Sequence, residues 1–477
     1  MRKRDEIGPH IKSDDNTDKI MTRLIIALMP IVCFAIFKNT IVSYYKTDSS
    51  IMSLLNPVFM IFIGIITSLL SEYLYIRFVQ KNSNKVTFRE LIKSYSIIPG
   101  LFVALLLPVN TPLWIVAFGA FAASIIGKML FGGLGQNIFN PALVGYLLIG
   151  ASYSSLLGGY LNSYELDAIA GSTPLTNLAS LNYFGTYETL ITPYGSLFNF
   201  LFGTIPGSLG EVCKILIVVA FIYLALTKTI KWKIPVMYVS TVFVMTFLIG
   251  NSVDLGIWYP TFHILSGGLL FGAVFMATDP VTSPITNTGQ VLYGITLGIL
   301  TVVLRFLTPF PEGVATSILF MNLLVFLFDK IGVKAKYNKK KAYIPILILI
   351  ILFSSSILVI SNKLKDTKNN ESNNEIKSVE IIEVKEDGNK KIYTVSSKGW
   401  GIIKATVDVV DKEIKSIIVT DSSTETQWNE IEKANYILEV INNQKNINDL
   451  DAVSGSTKSS DALKNIVRKI IEEENNE

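Results

Sequence analysis

Cysteine, histidine and charge are all scarce in this sequence. Its 477 residues include two cysteines and two histidines, and only 17% are Asp, Glu, Lys or Arg. Cys33 and Cys213 fall in or beside long apolar runs, which excludes a disulfide framework and a Cys-ligated metal or iron–sulfur centre built from this chain alone. No second histidine is spaced to pair with His263, so haem ligation is excluded and that ring is expected to be hydrogen-bonded structure. No Gly-x-Gly-x-x-Gly follows a strand pattern, which removes a dinucleotide-binding unit. Lysine and arginine are missing altogether from residues 152–211.

Hydrocarbon is what the chain has in quantity: half of it is hydrophobic. The apolar residues gather into eleven runs, at 20–37, 54–76, 95–107, 113–130, 142–151, 212–226, 234–249, 261–277, 291–306, 315–328 and 344–360. Most are about as long as a helix needs to cross a bilayer. The third and fifth are short and read as half-helices packed inside protein. Residues 1–19 are polar and no small-residue cleavage pattern follows the first run, so the chain is expected to be inserted without a cleavable signal.

Basic residues alternate between loops. Arg77, Lys81, Lys85, Arg89 and Lys93 follow the second run, Lys228, Lys231 and Lys233 the sixth, and Lys330, Lys334, Lys336, Lys339, Lys340 and Lys341 the tenth. Placing these inside makes the N-terminus cytoplasmic and puts 152–211, and everything after 361, on the outer side. Trp114, Trp232 and Trp258 fit an aromatic belt. Arg305 and Glu312 are expected to be interfacial groups or a loop ion pair at an outer loop.

"PVNTP" at 108–112 recurs as "PVTSP" at 280–284, five runs further on. Five is odd, so the two loops face opposite sides, and a five-plus-five inverted repeat of about ten membrane helices follows, with the eleventh as an added anchor. Residues 361–375 are rich in Lys, Asn, Asp and Ser and read as a flexible linker. Beyond them "VEIIEVKE", "KIYTVSS", "IIKATVDVV" and "EIKSIIVT" alternate as strands, and helical stretches follow at 430–442 and 459–472. The division expected is a multi-span membrane domain (1–335), a membrane anchor (336–361), a linker (362–377) and a small α+β domain (378–477).

Two stretches on the expected outer side share a pattern. "DAIAGSTPLT" covers 167–176 and "DAVSGSTKSS" covers 451–460. Gly171 and Gly455 permit a sharp turn from which the following Ser172–Thr173 and Ser456–Thr457 hydroxyls protrude. In the second copy Ser459 is expected to cap the helix that follows, placing Thr457 near a helix N-terminus. Such a threonine suits either a phosphate ligand or a phosphoester, and a single copy is equally a plain polar turn. Repetition in dissimilar surroundings favours chemistry.

Both stretches resemble the flavinylation motif Asp-x-x-Ser-Gly-Ala-Thr, whose threonine carries FMN through a phosphodiester made by an extracytoplasmic, FAD-consuming flavin transferase. The resemblance makes Thr173 and Thr457 the acceptors and Asp167 and Asp451 the acidic positions, with Gly171, Ser172, Gly455 and Ser456 forming the turns. Ser172 and Ser456 stand where the motif has Ala, and Ala170 where it has Ser. "FGGLGQNIFNPALVG" (131–145), "GGLLFGAVFMATDPVTSPIT" (267–286) and "PEGVATSILFMN" (311–322) resemble the D subunit of the Rnf ion-translocating electron-transport complex and the related B subunit of the sodium-pumping NADH:quinone reductase. The last span and the α+β domain resemble the Rnf G subunit, including "ET" at Glu425 and Thr426, although the Pro-Gly-Leu-Gly run expected after it is absent.

A D–G fusion is implied: a flavoprotein subunit in a bacterial cell membrane, with two covalent FMN groups and room for a non-covalent riboflavin in the membrane domain. Electrons would pass between ferredoxin and NAD with outward movement of Na⁺ or H⁺. Partner chains would hold the iron–sulfur, ferredoxin and NAD sites, and nothing implies a nucleic acid. Asn140–Pro141 and Asp279–Pro280 each combine a capping residue with proline and can simply start helices. The resemblance also makes Asn137, Asn140, Asp279 and Thr282 flavin-contacting positions. Two alternatives stand beside this reading: a subunit of a quinone-reducing sodium pump, and a non-redox solute transporter with an appended binding domain.

Overall fold

The computed structural model describes residues 16–42, 55–157, 173–211, 213–308, 313–338, 343–377, 379–387, 390–398, 402–422, 431, 435–444, 447, 450 and 457–476. They divide into two compact units, 1–364 and 365–477.

The first unit is helical because its sequence is runs of hydrocarbon with polar punctuation. α1 (Thr17–Ile36) starts where the Asn16 side chain accepts from Lys19 N at 2.8 Å, and passes into a π turn at Phe37–Val42. α2 (Asn56–Leu74), α3 (Asn84–Lys93), α4 (Ile97–Leu106), α5 (Leu113–Ile125) and α6 (Pro141–Tyr153) follow. Three short helices, α7 (Pro174–Ser180), α8 (Tyr187–Leu190) and α9 (Leu197–Phe202), lead to α10 (Lys214–Leu226) and α11 (Lys233–Asn251). Then come α12 (Trp258–Leu265), α13 (Leu269–Phe271) with a π turn at Gly272–Met276, α14 (Asn287–Leu307), α15 (Val314–Asn322), α16 (Val325–Tyr337) and α17 (Tyr343–Lys377).

Among the described residues six helices are long and apolar enough to cross a membrane, or eight if each of two bent pairs counts as one span. The run at 261–277 is not one helix: α12 and the α13–π segment meet at 63°, broken at Ser266–Gly268, where Ser266 is extended and Gly267 has φ +64°. The run at 315–328 bends by 62° between α15 and α16 without glycine or proline at the break. Close helix crossings use small residues. A methyl group at Gly100 on α4 would collide with the Gly64 carbonyl on α2, so these backbones touch directly.

α17 also departs from expectation. The flexible coil expected over 361–375 is helix, because α17 runs unbroken from the apolar span to Lys377. No glycine or proline interrupts residues 361–377, and a helix already nucleated in the span propagates at little further cost.

The second unit holds an antiparallel meander of β1 (Glu380–Asp387), β2 (Lys390–Lys398), β3 (Ile402–Val410) and β4 (Glu413–Ser422), in the order 1-2-3-4. The β3–β4 turn is the pair Asp411–Lys412, both at positive φ, which matches the twist of the strands. Alternate residues Ile403, Ala405, Val407 and Val409 are buried. α18 (Tyr436–Asn442) and α19 (Thr457–Asn476) complete the core, α19 through Leu463, Ile466, Val467 and Ile470 at helical spacing.

Candidate functional site

Thr173 is the capping residue of α7. Its backbone is extended (φ −66°, ψ 157°), Pro174 occupies the first helical position, and its Oγ1 accepts from Thr176 N at 3.2 Å and lies 2.6 Å from Thr176 Oγ1. The residue is 5% exposed. α19 begins at Thr457, so Ser459 lies inside its first turn and does not cap it; that hydroxyl residue is buried. Both threonines therefore stand where a helix begins. Asp167, Gly171, Ser172, Asp451, Gly455 and Ser456 lie outside the described residues, as does the side chain of Thr457.

The membrane residues singled out from sequence converge. Asn140 caps α6, its Oδ1 accepting from Ala142 N at 3.1 Å and Leu143 N at 3.4 Å. Its backbone N–H donates to Asn322 Oδ1 at 3.1 Å, and its Nδ2 donates to Met276 O at 3.4 Å. Asn322 Nδ2 in turn donates to Thr282 O at 3.0 Å, and Thr282 Oγ1 donates to Asp279 Oδ2 at 2.9 Å. Asn137 faces the Asp279 carboxylate and donates to Phe139 O at 2.9 Å. One asparagine on each of α6 and α15 thus stitches a helix start, a helix end and the 277–286 turn into a single polar node. Asp279–Pro280 starts no helix, since Pro284 keeps Ser283 out of helical geometry and α14 begins only after the Thr286 cap.

This node borders a cavity of about 750 Å³, counting its open mouth, which Asn137, Asn140 and Asp279 line on one side and Phe102 and Phe275 on another. Apolar walls with a few convergent polar groups are the usual make-up of a site for a flat organic ligand. Two contributors were not singled out from sequence. Asn322 sits at the end of a quoted motif. Lys128, also lining the cavity, is 2% exposed and makes a 2.7 Å ion pair with the fully buried Glu72. Ser94 and Ser96 hydroxyls each reach Glu72 Oε2 at 2.6 Å, and Lys128 Nζ donates to Ser94 O at 2.7 Å, so both charges are satisfied. The signal for Lys128 was a cation inside an apolar run.

Two expectations need correction. Arg305 is not interfacial: it is 1% exposed and donates to His263 O at 2.6 Å, satisfying a carbonyl that the break after α12 leaves open. His263 is not hydrogen-bonded through its ring, whose two nitrogens have no partner among the described residues; the ring packs on Tyr259, with centroids 4.6 Å apart, and on Phe306. Glu312 lies outside the described residues.

Residues 6–338 match the NQR2, RnfD, RnfE family, and residues 399–472 match the FMN-binding domain. The chain is 35% identical over 338 residues to the D subunit of the proton-translocating ferredoxin:NAD(+) oxidoreductase complex of Clostridium ljungdahlii, covering 70% of this chain and 96% of that one. It is 30% identical over 334 residues to the D subunit of the Na(+)-translocating ferredoxin:NAD(+) oxidoreductase complex of Acetobacterium woodii, covering 70% and 95%. Against the B subunit of the Na(+)-translocating NADH-quinone reductase of Ectopseudomonas mendocina the identity is 36% over 269 residues, covering 53% and 64%.

Proposed function

Because the chain belongs to the NQR2, RnfD, RnfE family, we propose that it is the membrane flavoprotein subunit of an Rnf-type complex, in which a D-type and a G-type part are one polypeptide. The observation that carries this is the union, in one chain, of the family match over 6–338 and the FMN-binding match over 399–472. Thr173 and Thr457 are the proposed points of covalent FMN attachment, loaded from FAD by an extracytoplasmic flavin transferase. Thr173 carries its hydroxyl at the start of α7, where Oγ1 engages the Thr176 N–H. A non-covalent riboflavin is proposed at the cavity whose lining includes Phe102, Phe275, Asn137, Asn140 and Asp279, with Thr282 holding the Asp279 carboxylate. Flavin, when bound, supplies the one- and two-electron chemistry that side chains lack.

Electrons run from the Thr457 domain to Thr173 and on into the membrane part, between ferredoxin and NAD sites on iron–sulfur and NAD-binding partner chains, with Na⁺ or H⁺ moved outward. Among the described residues, six candidate spans, two bent pairs each taken as one span, and three shorter apolar helices lie on the eleven apolar runs. That number is consistent with a ten-helix, five-plus-five inverted unit with α17 as an eleventh, anchoring helix; the domain limits proposed with it, at 335, 361 and 377, are those of the sequence pattern. The absence of Lys and Arg from 152–211 supports a cytoplasmic N-terminus and an outer C-terminal domain.

Flavin-dependent fluorescence of the denatured chain in a gel is the test. Thr173→Ala and Thr457→Ala should each remove one covalent flavin, confirmed by mass spectrometry of the two peptides, and the double variant both. Fluorescence that survives the double change means the acceptors are wrong, and a chain without any covalent flavin points to a plain transporter. A related quinone-reducing role is favoured by the 36% identity to the B subunit of a Na(+)-translocating NADH-quinone reductase, and a quinone assay on the assembled complex separates it.

A further inference from the structure

Glu211 is a buried carboxylate that the flavin reading does not use. It is 3% exposed and lies on the stretch entering α10, where the chain turns back beside the end of α4: Gly210 N donates to Leu105 O at 2.8 Å and Leu209 N to Leu107 O at 3.3 Å. Ser208 holds one oxygen, donating to Oε1 from its backbone at 3.2 Å and its hydroxyl at 2.8 Å. Oε2 points the other way. It faces Gly268 at the break between α12 and α13, so closely that a methyl group there would collide with it.

A second, small cavity, about 320 Å³ only when its open mouth is counted, opens at this place, bordered by Glu211, Tyr146, Gly268, Met276 and Val314. The cations nearby do not lock the carboxylate. Lys214 Nζ donates to the backbone carbonyl of Glu211 and to Gly267 O at 2.6 Å, and Lys38 Nζ donates to Ile205 O at 2.5 Å. Among the described residues no ion pair engages the Glu211 side chain. The titratable groups around it are Lys38 on the π turn after α1, Cys213 and Lys214 at the start of α10, and Tyr146 on α6; α4, α13 and α15 present none. The two cavities are lined by consecutive residues, Phe275 on the larger and Met276 on the smaller.

We propose that Glu211 is a proton-exchanging site of the membrane unit, its Oε2 taking up and releasing a proton through the cavity at the broken helix. This rests on the reading of the chain as part of a cation-translocating complex, and it deepens it, because the relatives divide between H⁺ and Na⁺. A sodium ion needs several oxygens to replace its water shell. Of the side chains that border the cavity, those of Glu211 and Tyr146 alone among the described residues carry oxygen. A proton needs one lone pair. Uptake forms an O–H bond at Oε2 and leaves a water from the hydronium that delivered it; release is the reverse. A discontinuous membrane helix is a recurrent place for such coupling groups, and an ionisable residue within a membrane unit is costly enough to mark a functional site.

The complex, purified with all its subunits, is treated with dicyclohexylcarbodiimide, which attaches to protonated carboxyls in apolar surroundings, and the peptide bearing Glu211 is followed by mass spectrometry. Labelling should increase as the medium is acidified. It should be unchanged by sodium, absent in Glu211→Gln and restored in Glu211→Asp. In vesicles, Glu211→Gln should lower protons moved per NADH formed by about tenfold or more. Covalent flavin fluorescence on the same preparation reports that each variant assembles. Labelling independent of pH, protection by sodium at fixed pH, or an unchanged proton ratio in an assembled Glu211→Gln complex each overturns the proposal. Failure of the flavin reading looks different, since wild-type chain would then carry no covalent flavin whatever Glu211 does.

Discussion

Removing the Glu72 carboxylate should harm the membrane unit more than removing the whole Glu72–Lys128 pair. The two groups meet at 2.7 Å with side-chain exposures of 0% and 2%. Glu72→Gln leaves a buried ammonium whose remaining strong acceptor is Ser94 O. Deleting one partner of such a pair costs about 3–5 kcal/mol. Lys128→Met is milder, because the carboxylate keeps the Ser94 and Ser96 hydroxyls, and hydrogen bonds to a charged group are worth about 1.5–3 kcal/mol each. With both charges gone, the double variant should fall within about 2 kcal/mol of the wild type, since a well-packed apolar replacement of a buried pair is often neutral. The coupling between the sites should therefore exceed about 2 kcal/mol. The assay is reversible unfolding of the four proteins in mixed detergent micelles, followed by intrinsic fluorescence. If the double variant loses as much as the two singles added together, the pair is not a closed electrostatic unit and the account of Lys128 as a satisfied cavity-lining cation is wrong.

Three further outcomes are expected. Thr173→Ala should destabilise the α7 region by about 1 kcal/mol through loss of its cap, whereas Thr173→Ser should keep the cap; equal protease sensitivity of the two around residue 173 would refute this. Gly100→Ala should force α2 and α4 apart, costing about 1–3 kcal/mol or more, and an unchanged unfolding midpoint would show that the Gly64 contact yields freely. Single cysteines in place of Asn162 and Lys398 should both react with membrane-impermeant thiol reagents on intact cells; reaction only after lysis would reverse the proposed sidedness.

The second unit was readable because a half-buried sheet writes period two into its strands, as Ile403, Ala405, Val407 and Val409 do, and α19 writes its helical period as clearly. Long apolar runs located the membrane helices for the same reason. Their breaks were only partly visible. Ser266–Gly268 carries glycine at the bend, but the kink after Asn322 has no such residue, and Asn322 spends its side chain on Asn140 and Thr282 across the fold. Buried cations were missed because lysine and arginine were read as markers of sidedness. Lys128, Lys214 and Arg305 are instead held by a carboxylate or by carbonyls that helix ends and breaks leave open. The coil expected after residue 361 failed because polar composition alone does not stop a helix that has already begun.

The turn-back of the chain beside α4 also sets a timetable for biogenesis. α4 has ten residues, too few to cross a bilayer alone, and the carbonyls of Leu105 and Leu107 at its end find their donors in Gly210 and Leu209. Those donors are synthesised about 100 residues later, which at about 5–20 residues per second is a wait of roughly 5–20 s. During that interval a helix end with open carbonyls cannot be released into lipid without heavy cost. The first half of the membrane unit must therefore be retained by the insertion machinery, or by a chaperone, until the second half starts to emerge. A chain truncated after α6 should be a substrate for membrane proteases, and α1–α6 should enter the bilayer as a cluster instead of helix by helix.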